Sequence, residues 1–284
     1  MGNVFFGAES RLDKDALSVS VAADADFPTT NLNDDRSFTV YKMGSTATEL
    51  LIKTDAGVGN TVTVDYFMLV GHDLFDPDSD GNGAITVEFQ SSPDDIVYTN
   101  IFTASLSDNA IIARSFVNAA AITRRFFRLK LTRGAAFKAS LGELQWGLAV
   151  RPGIGMPVGY DPNDETIEGQ FNRSRTGQLL GAIRTVSMRR ARVRLELLDG
   201  SFVNDTTDPT GFKFFWDTHA SKLKPFLFHW NPGTAGAELG AAGPFEKDAF
   251  FAIIDPGAGI NRPLRTQLDV GRKDLEFAVI GVKE

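Results

Sequence analysis

Val62-Thr63-Val64-Asp65-Tyr66-Phe67-Met68-Leu69-Val70 runs straight into Gly71-His72-Asp73-Leu74, and the reading of this stretch decides the fold. Val62, Val64, Tyr66, Met68 and Val70 fall on one face of an extended segment, with Phe67 and Leu69 on the other. Side chains alternate across a strand, so a segment apolar on both faces is covered on both sides toward its end. Gly71-His72-Asp73 turns the chain. A second alternating segment follows, with Ile85, Val87 and Phe89 on one face and Thr86, Glu88 and Gln90 facing out. It ends in Ser91-Ser92-Pro93-Asp94-Asp95.

Outward from this pair, the front half reads as short strands between turn clusters, the pattern of an all-β sandwich. The segments are 38–41, 49–54, 61–70, 84–90, 97–103, 110–117, 124–131 and 141–149. Phe127, Leu129 and Leu131 share one face of their strand. Leu144, Trp146 and Leu148 alternate against Glu143, Gln145 and Gly147. Residues 151–164 hold three prolines and three glycines, which suit an irregular linker. The expected division is a sandwich over 1–150, the linker, and a second β-rich domain over 165–284. In that second part Asp208 and Pro209 look like the start of a helix. Phe212, Phe215, Trp216, His219 and Leu223 then fall on one helical stripe. After Pro225 the period changes to two, through Phe226, Phe228 and Trp230, until the turn Asn231-Pro232-Gly233. Residues 233–243 read as a mobile loop, and strands near 249–254 and 275–282 close the domain.

Composition narrows the chemistry. The chain has 284 residues, 43% apolar and 23% charged, enough for substantial cores in two domains. It has no cysteine, which excludes disulfides, thiolate metal sites and thiol catalysis and suits folding in a reducing cytoplasm. The opening Met1-Gly2-Asn3-Val4-Phe5-Phe6 lacks a basic region and a long apolar run, so no secretory signal is expected. Phe6 also breaks the myristoylation pattern. No apolar run is long enough to span a membrane. The net charge of −7 sits in the front half, where residues 1–150 carry 12 Lys/Arg against 19 Asp/Glu, while the rest carry 17 of each. An acidic front half argues against nucleic acid as a partner.

Among local motifs, Asp76-Pro77-Asp78-Ser79-Asp80-Gly81 is the sharpest. Asp76, Asp78 and Asp80 alternate before a glycine and would suit a hard cation such as calcium. The helix–loop–helix calcium pattern fails, because its twelfth position is Val87 and Glu88 comes one residue late. A solvated acidic turn is the simpler reading. Arg190, Arg192 and Arg194 share one strand face and are candidates for meeting acidic surfaces of a neighbouring subunit, with a wetted face balanced by Glu196 as the plain alternative. His72, His219 and His229 form no paired metal motif. No Gly-x-Ser-x-Gly elbow is present, and nothing marks Glu165 and Glu168 as a catalytic pair. The expectation is no enzyme. Sugar-binding surfaces favour exposed Trp and Tyr. Here 23 Phe stand against 4 Tyr and 3 Trp, and Trp146, Trp216 and Trp230 lie on apolar faces that suit cores.

The front half resembles discoidin (galactose-binding-like) domains. The resemblance is carried by Phe27-Pro28-Thr29-Thr30-Asn31-Leu32-Asn33-Asp34-Asp35, the Gly71–Leu74 turn, Val87–Asp94 and Arg124–Leu131. It implies a jelly-roll sandwich whose tip loops often bind sugars or other surfaces. The fold class expected is therefore mainly β: an N-terminal jelly-roll β-sandwich, then a second β-rich domain with one short helix. Coupled to the segment Lys224-Pro225-Phe226-Leu227-Phe228-His229-Trp230-Asn231-Pro232, the front half also resembles tail proteins of tailed bacteriophages. That resemblance implies a structural part of a virion tail, at the tip or baseplate, made in the host cytoplasm and released by lysis. Its partners would be other tail proteins and copies of itself in a ring. The alternative is a carbohydrate-binding module that recognises a glycan on the host surface.

Overall fold

The computed structural model describes residues 4–36, 38–77, 81–104, 106, 108–109, 111–116, 122–155, 165–173, 175–176, 178–230, 249–258 and 272–282. In chain order the strands begin with β1 (Phe5–Gly7), β2 (Ala16–Val19), β3 (Tyr41–Lys42), β4 (Ala47–Asp55), β5 (Val62–Val64) and β6 (Tyr66–Leu69). Next come β7 (Thr86–Ser92), β8 (Thr99–Ala104), β9 (Ile112–Ser115), β10 (Ile122–Arg124) and β11 (Phe126–Phe137). Then follow β12 (Ser140–Leu141), β13 (Leu144–Gly147) and β14 (Ala149–Val150). The back half holds β15 (Glu165–Arg173), β16 (Leu179–Asp199), helices α1 (Gly200–Asn204) and α2 (Phe212–Thr218), β17 (Phe226–His229), β18 (Ala249–Ile254) and β19 (Arg272–Val282).

The front half is the expected sandwich. A five-stranded sheet, β2-β4-β11-β7-β8, faces a three-stranded one, β13-β6-β9. Inward alternation from both sheets fills the space with rings. Phe67 stacks on Trp146 at 6.3 Å and tilts against Phe89 at 4.9 Å, and Phe127 lies over Phe89 at 5.9 Å. Each such buried ring contributes about 1.5–3 kcal/mol. Trp146 donates its indole N–H to Thr54 Oγ1 at 3.3 Å, so the core tryptophan leaves no polar atom stranded.

The other face of β6 is buried too, as its double apolar pattern requires. Tyr66, Met68 and Val70 pack with Phe5, Ala113, Ala149, Leu227 and Ala249 into a second core. The cover is an antiparallel seven-stranded sheet, β14-β1-β17-β18-β19-β16-β15. Its opposite face carries Phe6, Val193, Phe226, Phe228, Phe250 and Phe277 against α1 and α2. The layers therefore run sheet, sheet, sheet, helices, with three cores between them. This sheet recruits β1 from the front of the chain, pairing Phe6 with Val150 on one side and Phe228 on the other. Gly147 passes so close to this N-terminal segment that a Cβ there would lie 2.2 Å from the Glu9 carbonyl oxygen.

Two local expectations need correction, and one burial was not foreseen. The helix does not start at Asp208: its carboxylate accepts the backbone N–H and the hydroxyl of Thr210, at 2.8 and 2.6 Å, and this turn delays the helix until Gly211 caps it. Leu223 leaves the apolar stripe, because α2 ends at Thr218 and Leu223 sits in a left-handed conformation (φ 55°), partly exposed. Glu143 and Gln145 are buried on the other face of their strand, alongside which the Glu9–Arg11 segment runs, with Arg11 donating its backbone N–H to the Trp146 carbonyl at 2.8 Å. The expected loop at 233–243 and most of the 151–164 linker lie outside the described residues.

Candidate functional site

The seven-stranded sheet continues past the sandwich, and its sandwich-facing side is there open. β16 alternates Ala191, Val193 and Leu195 into the helical core with Arg190, Arg192 and Arg194 on the outside, as the sequence indicates. Each arginine meets an acid of this same chain. Arg194 pairs with Glu196 at 2.7 Å, Arg190 loosely with Asp255 at 3.8 Å, and Arg192 with Glu276. The plain alternative, a row balanced within the chain, is thus present, and the row still faces solvent. Beyond β16 lies β15, paired along its length with β16; among the described residues no strand pairs with its outer side.

The register sets Arg190 opposite Ile280 and Ile280 opposite Ile253, so the arginine row and these isoleucines share a face. Where that face meets Asp35, Arg36 and Phe38 of the sandwich there is a groove of about 350 Å³, whose apolar lining is chiefly Phe38, Leu223, Phe251, Ile253 and Ile280. Phe38 stands on its rim 81% exposed, with the Arg36 guanidinium 6.0 Å from its ring centroid. Arg36 makes no ion pair among the described residues.

At the opposite end of the sandwich, where β7 turns into β8, a second feature is built with unusual care. The Ser92 hydroxyl accepts the backbone N–H groups of Asp94 (3.2 Å) and Asp95 (3.1 Å), and Asp94 Oδ1 accepts those of Ile96 (3.0 Å) and Val97 (3.2 Å). These backbone bonds hold the Asp94 carboxyl below its ordinary range. Asp95, at φ 64°, takes Lys53 Nζ at 2.6 Å and the Tyr98 hydroxyl, and Arg128 lies 3.5 Å over the Tyr98 ring. The loop so fixed presents Ile96 and Val97 to solvent, 81% and 67% exposed.

Between sandwich and sheet runs a charged seam that alternation alone does not reveal. Lys224 of the back half donates to Asp35 of the front at 2.8 Å, and Asn33 donates to Asp13 at 3.0 Å. Burial raises Asp13, and burial pushes Glu143 up to about 8, with Asp35, Asp13 and Asp34 adding to it. Glu143 is 1% exposed; Gln145 donates to its Oε1 at 2.9 Å, and its Oε2 is buried without a hydrogen-bond partner. Asp65, raised by burial despite its ion pair with Arg151 at 3.0 Å, ties β14 down by accepting the Ala149 N–H at 2.7 Å. His219 contacts the Pro225 carbonyl, and burial lowers its pKa. A cavity of about 220 Å³ opens nearby between Ser10, Leu148, Phe214 and Lys224.

Of the acidic turn, Asp78 and Asp80 lie outside the described residues. Asp76 is half-buried, with Oδ1 shielded and lacking a hydrogen-bond partner. Among the described residues no three His, Asp or Glu side chains gather as a metal would require. His72 and His229 are buried, the latter edge-on to Phe5 at 5.2 Å. Trp146 and Trp216 are core residues and Trp230 packs against the helical core, as their positions suggest. The Glu165 and Glu168 side chains are outside the described set. The groove, the loop at Ile96 and Val97, and the seam escaped sequence reading. A signal existed for one of them: Ile96-Val97 follows Ser-Pro-Asp-Asp turn residues, where apolar side chains have no core to enter.

No protein-family profile and no curated protein matches the chain. Solved structures do resemble a part of it. Chitosan-binding module 1 of a chitosanase/glucanase from Paenibacillus sp. IK-5 is 20% identical, covering 46% of this chain and 93% of its own, with a TM-score of 0.36. Module 2 of the same enzyme, solved with chitotriose, gives 20%, 47%, 96% and 0.37. A CBM32 module from Clostridium perfringens, in complex with GalNAc-beta-1,3-galactose, gives 14%, 48%, 96% and 0.36.

Proposed function

We propose that the chain is a structural component of a phage tail that works by contact, docking through its back half and turning the sandwich outward. The observation that supports this best is the overhanging side of the seven-stranded sheet. It sets an exposed arginine row beside the nine-residue strand β15, whose outer edge is open among the described residues. An open edge offers backbone donors and acceptors to a strand of another chain, and arginine is enriched at interfaces. The phage assignment itself rests on the resemblance carried by Lys224–Pro232, of which Phe226–His229 forms β17 in the interior of that sheet. The test is location. Antibody raised against the purified chain should decorate the tails of particles that encode it; particles free of the chain overturn the reading.

A second reading is glycan binding by the sandwich. It is favoured by Phe27 and Phe75, partly exposed rings on loops outside the β-ladders, with Lys42 Nζ 5.8 Å from the Phe27 ring centroid. An exposed aromatic face beside a hydrogen-bond donor suits a pyranose ring. Binding on a glycan array that Phe27→Ala and Phe75→Ala abolish would establish it, and an array without signal would remove it.

A further inference from the structure

The sandwich carries an apolar knob at one end and an apolar groove at the other. The knob is Ile96 and Val97, held out on a loop whose backbone is fixed by Ser92 and Asp94. The groove is the space of about 350 Å³ walled by Leu223, Phe251, Ile253 and Ile280, with Phe38 as its exposed rim. The two lie at opposite ends of β11: Phe126 pairs with Ser92 beside the knob, while the strand's far end leads through β12 to β3, just after Phe38. Twelve residues of strand separate them, roughly 40 Å.

Charge makes the two ends complementary. The knob carries Asp94, whose carboxyl its backbone bonds hold below the ordinary range, beside an Asp95 already paired with Lys53. The groove is flanked by Arg36, with no ion pair among the described residues, and by Arg190, held only at 3.8 Å from Asp255, while Asp35 on its lining is taken up by Lys224. Preorganisation adds to this. Two β-branched side chains on a fixed loop lose little freedom when they are covered, so most of the burial they gain is kept as binding energy.

We propose that the occupant of the groove is the Ile96–Val97 loop of a second copy of this chain, with Asp94 of that copy meeting Arg36 and Arg190. Knob and groove are different patches, so the contact is head-to-tail. Each copy fills one neighbour and is filled by another, and repetition closes a ring or extends a filament. This rests on the assembly reading above and gives it a specific interface.

Complementation in solution tests it. The knob variant is Ile96→Asp with Val97→Asp, and the groove variant is Phe38→Asp; all three residues are exposed, and matching thermal unfolding with wild type confirms folding. Light scattering at about 100 µM should show wild type above monomer mass and each variant alone as a monomer. A one-to-one mixture of the variants retains a single intact knob and a single intact groove, so it should form a dimer and stop there. Variants that keep the wild-type mass, a mixture that stays monomeric, or a wild type that is itself monomeric would each overturn the inference. Tail decoration by antibody is read separately. Labelled tails with unaffected variants leave the assembly reading standing without this interface. Complementing variants with unlabelled tails leave the interface and remove the phage assignment.

Discussion

Glu143 is the residue whose chemistry departs most from its place in the pattern. It alternates with Leu144 in a pattern that would send it to water, yet it is 1% exposed. Burial, with Asp35, Asp13 and Asp34 nearby, lifts it to about 8 from an ordinary value of 4.5, so at neutral pH it is mostly protonated. The linkage has a definite sign. An acid whose folded pKa lies above its unfolded one favours the fold when protonated, so its contribution is complete below about pH 4.5. It declines as the unfolded chain ionises, and is lost once pH passes about 8. The full loss is on the order of a few kcal/mol. Glu143→Gln keeps the shape and an acceptor for Gln145 but cannot ionise. Calorimetry from pH 4.5 to 9 should therefore show the variant near wild type in acid and increasingly more stable toward alkali. Parallel curves would mean that Glu143 titrates normally.

At the scale of elements, the three-residue strand β1 has a consequence out of proportion to its length. Phe6 contacts the rings of Phe215, Phe226, Phe228 and Phe277 at 5.5–6.1 Å, so three residues near the N-terminus complete a core made otherwise from the far half of the chain. Phe6→Ala leaves a cavity among four rings and should cost about 3–5 kcal/mol in urea denaturation; a cost under 1 kcal/mol would show that the neighbouring rings close the gap. The sequence could not announce this. A three-residue strand has too few alternations to carry a period, and its partners Leu227, Phe228 and His229 are more than two hundred positions away. Longer strands were legible because period two is a local signal: the segments 84–90, 249–254 and 124–131 overlap Thr86–Ser92, Ala249–Ile254 and the first half of Phe126–Phe137, whose second half went unread. The double apolar face of Tyr66–Val70 even indicated that something covers the sandwich, without saying what. Contact surfaces were only half legible. The arginine row follows from alternation on β16, whereas the groove is made by Phe38, Phe251 and Ile280, which only tertiary structure brings together.

For the whole molecule, the layering decides which part can stand alone. The core between the two sandwich sheets runs from Leu12 to Trp146 and, among the described residues, draws nothing from the back half. The helical core, in contrast, needs Val4, Phe6 and Val150 from the front half, and the middle core is shared between both. Residues 8–150 should therefore fold when expressed alone, although Tyr66, Met68 and Val70 would then face water. Residues 165–284 should not. Without β1 the edge of β17 is bare, the Phe6 site is empty, and Leu227, Ala249 and Phe251 lose the sheet that covers them. Two-dimensional amide spectra separate the outcomes: dispersed peaks for 8–150 and collapsed ones for 165–284. A well-dispersed spectrum from 165–284 would show that the back sheet closes without β1, and that the shared cores are a docking surface between independent domains.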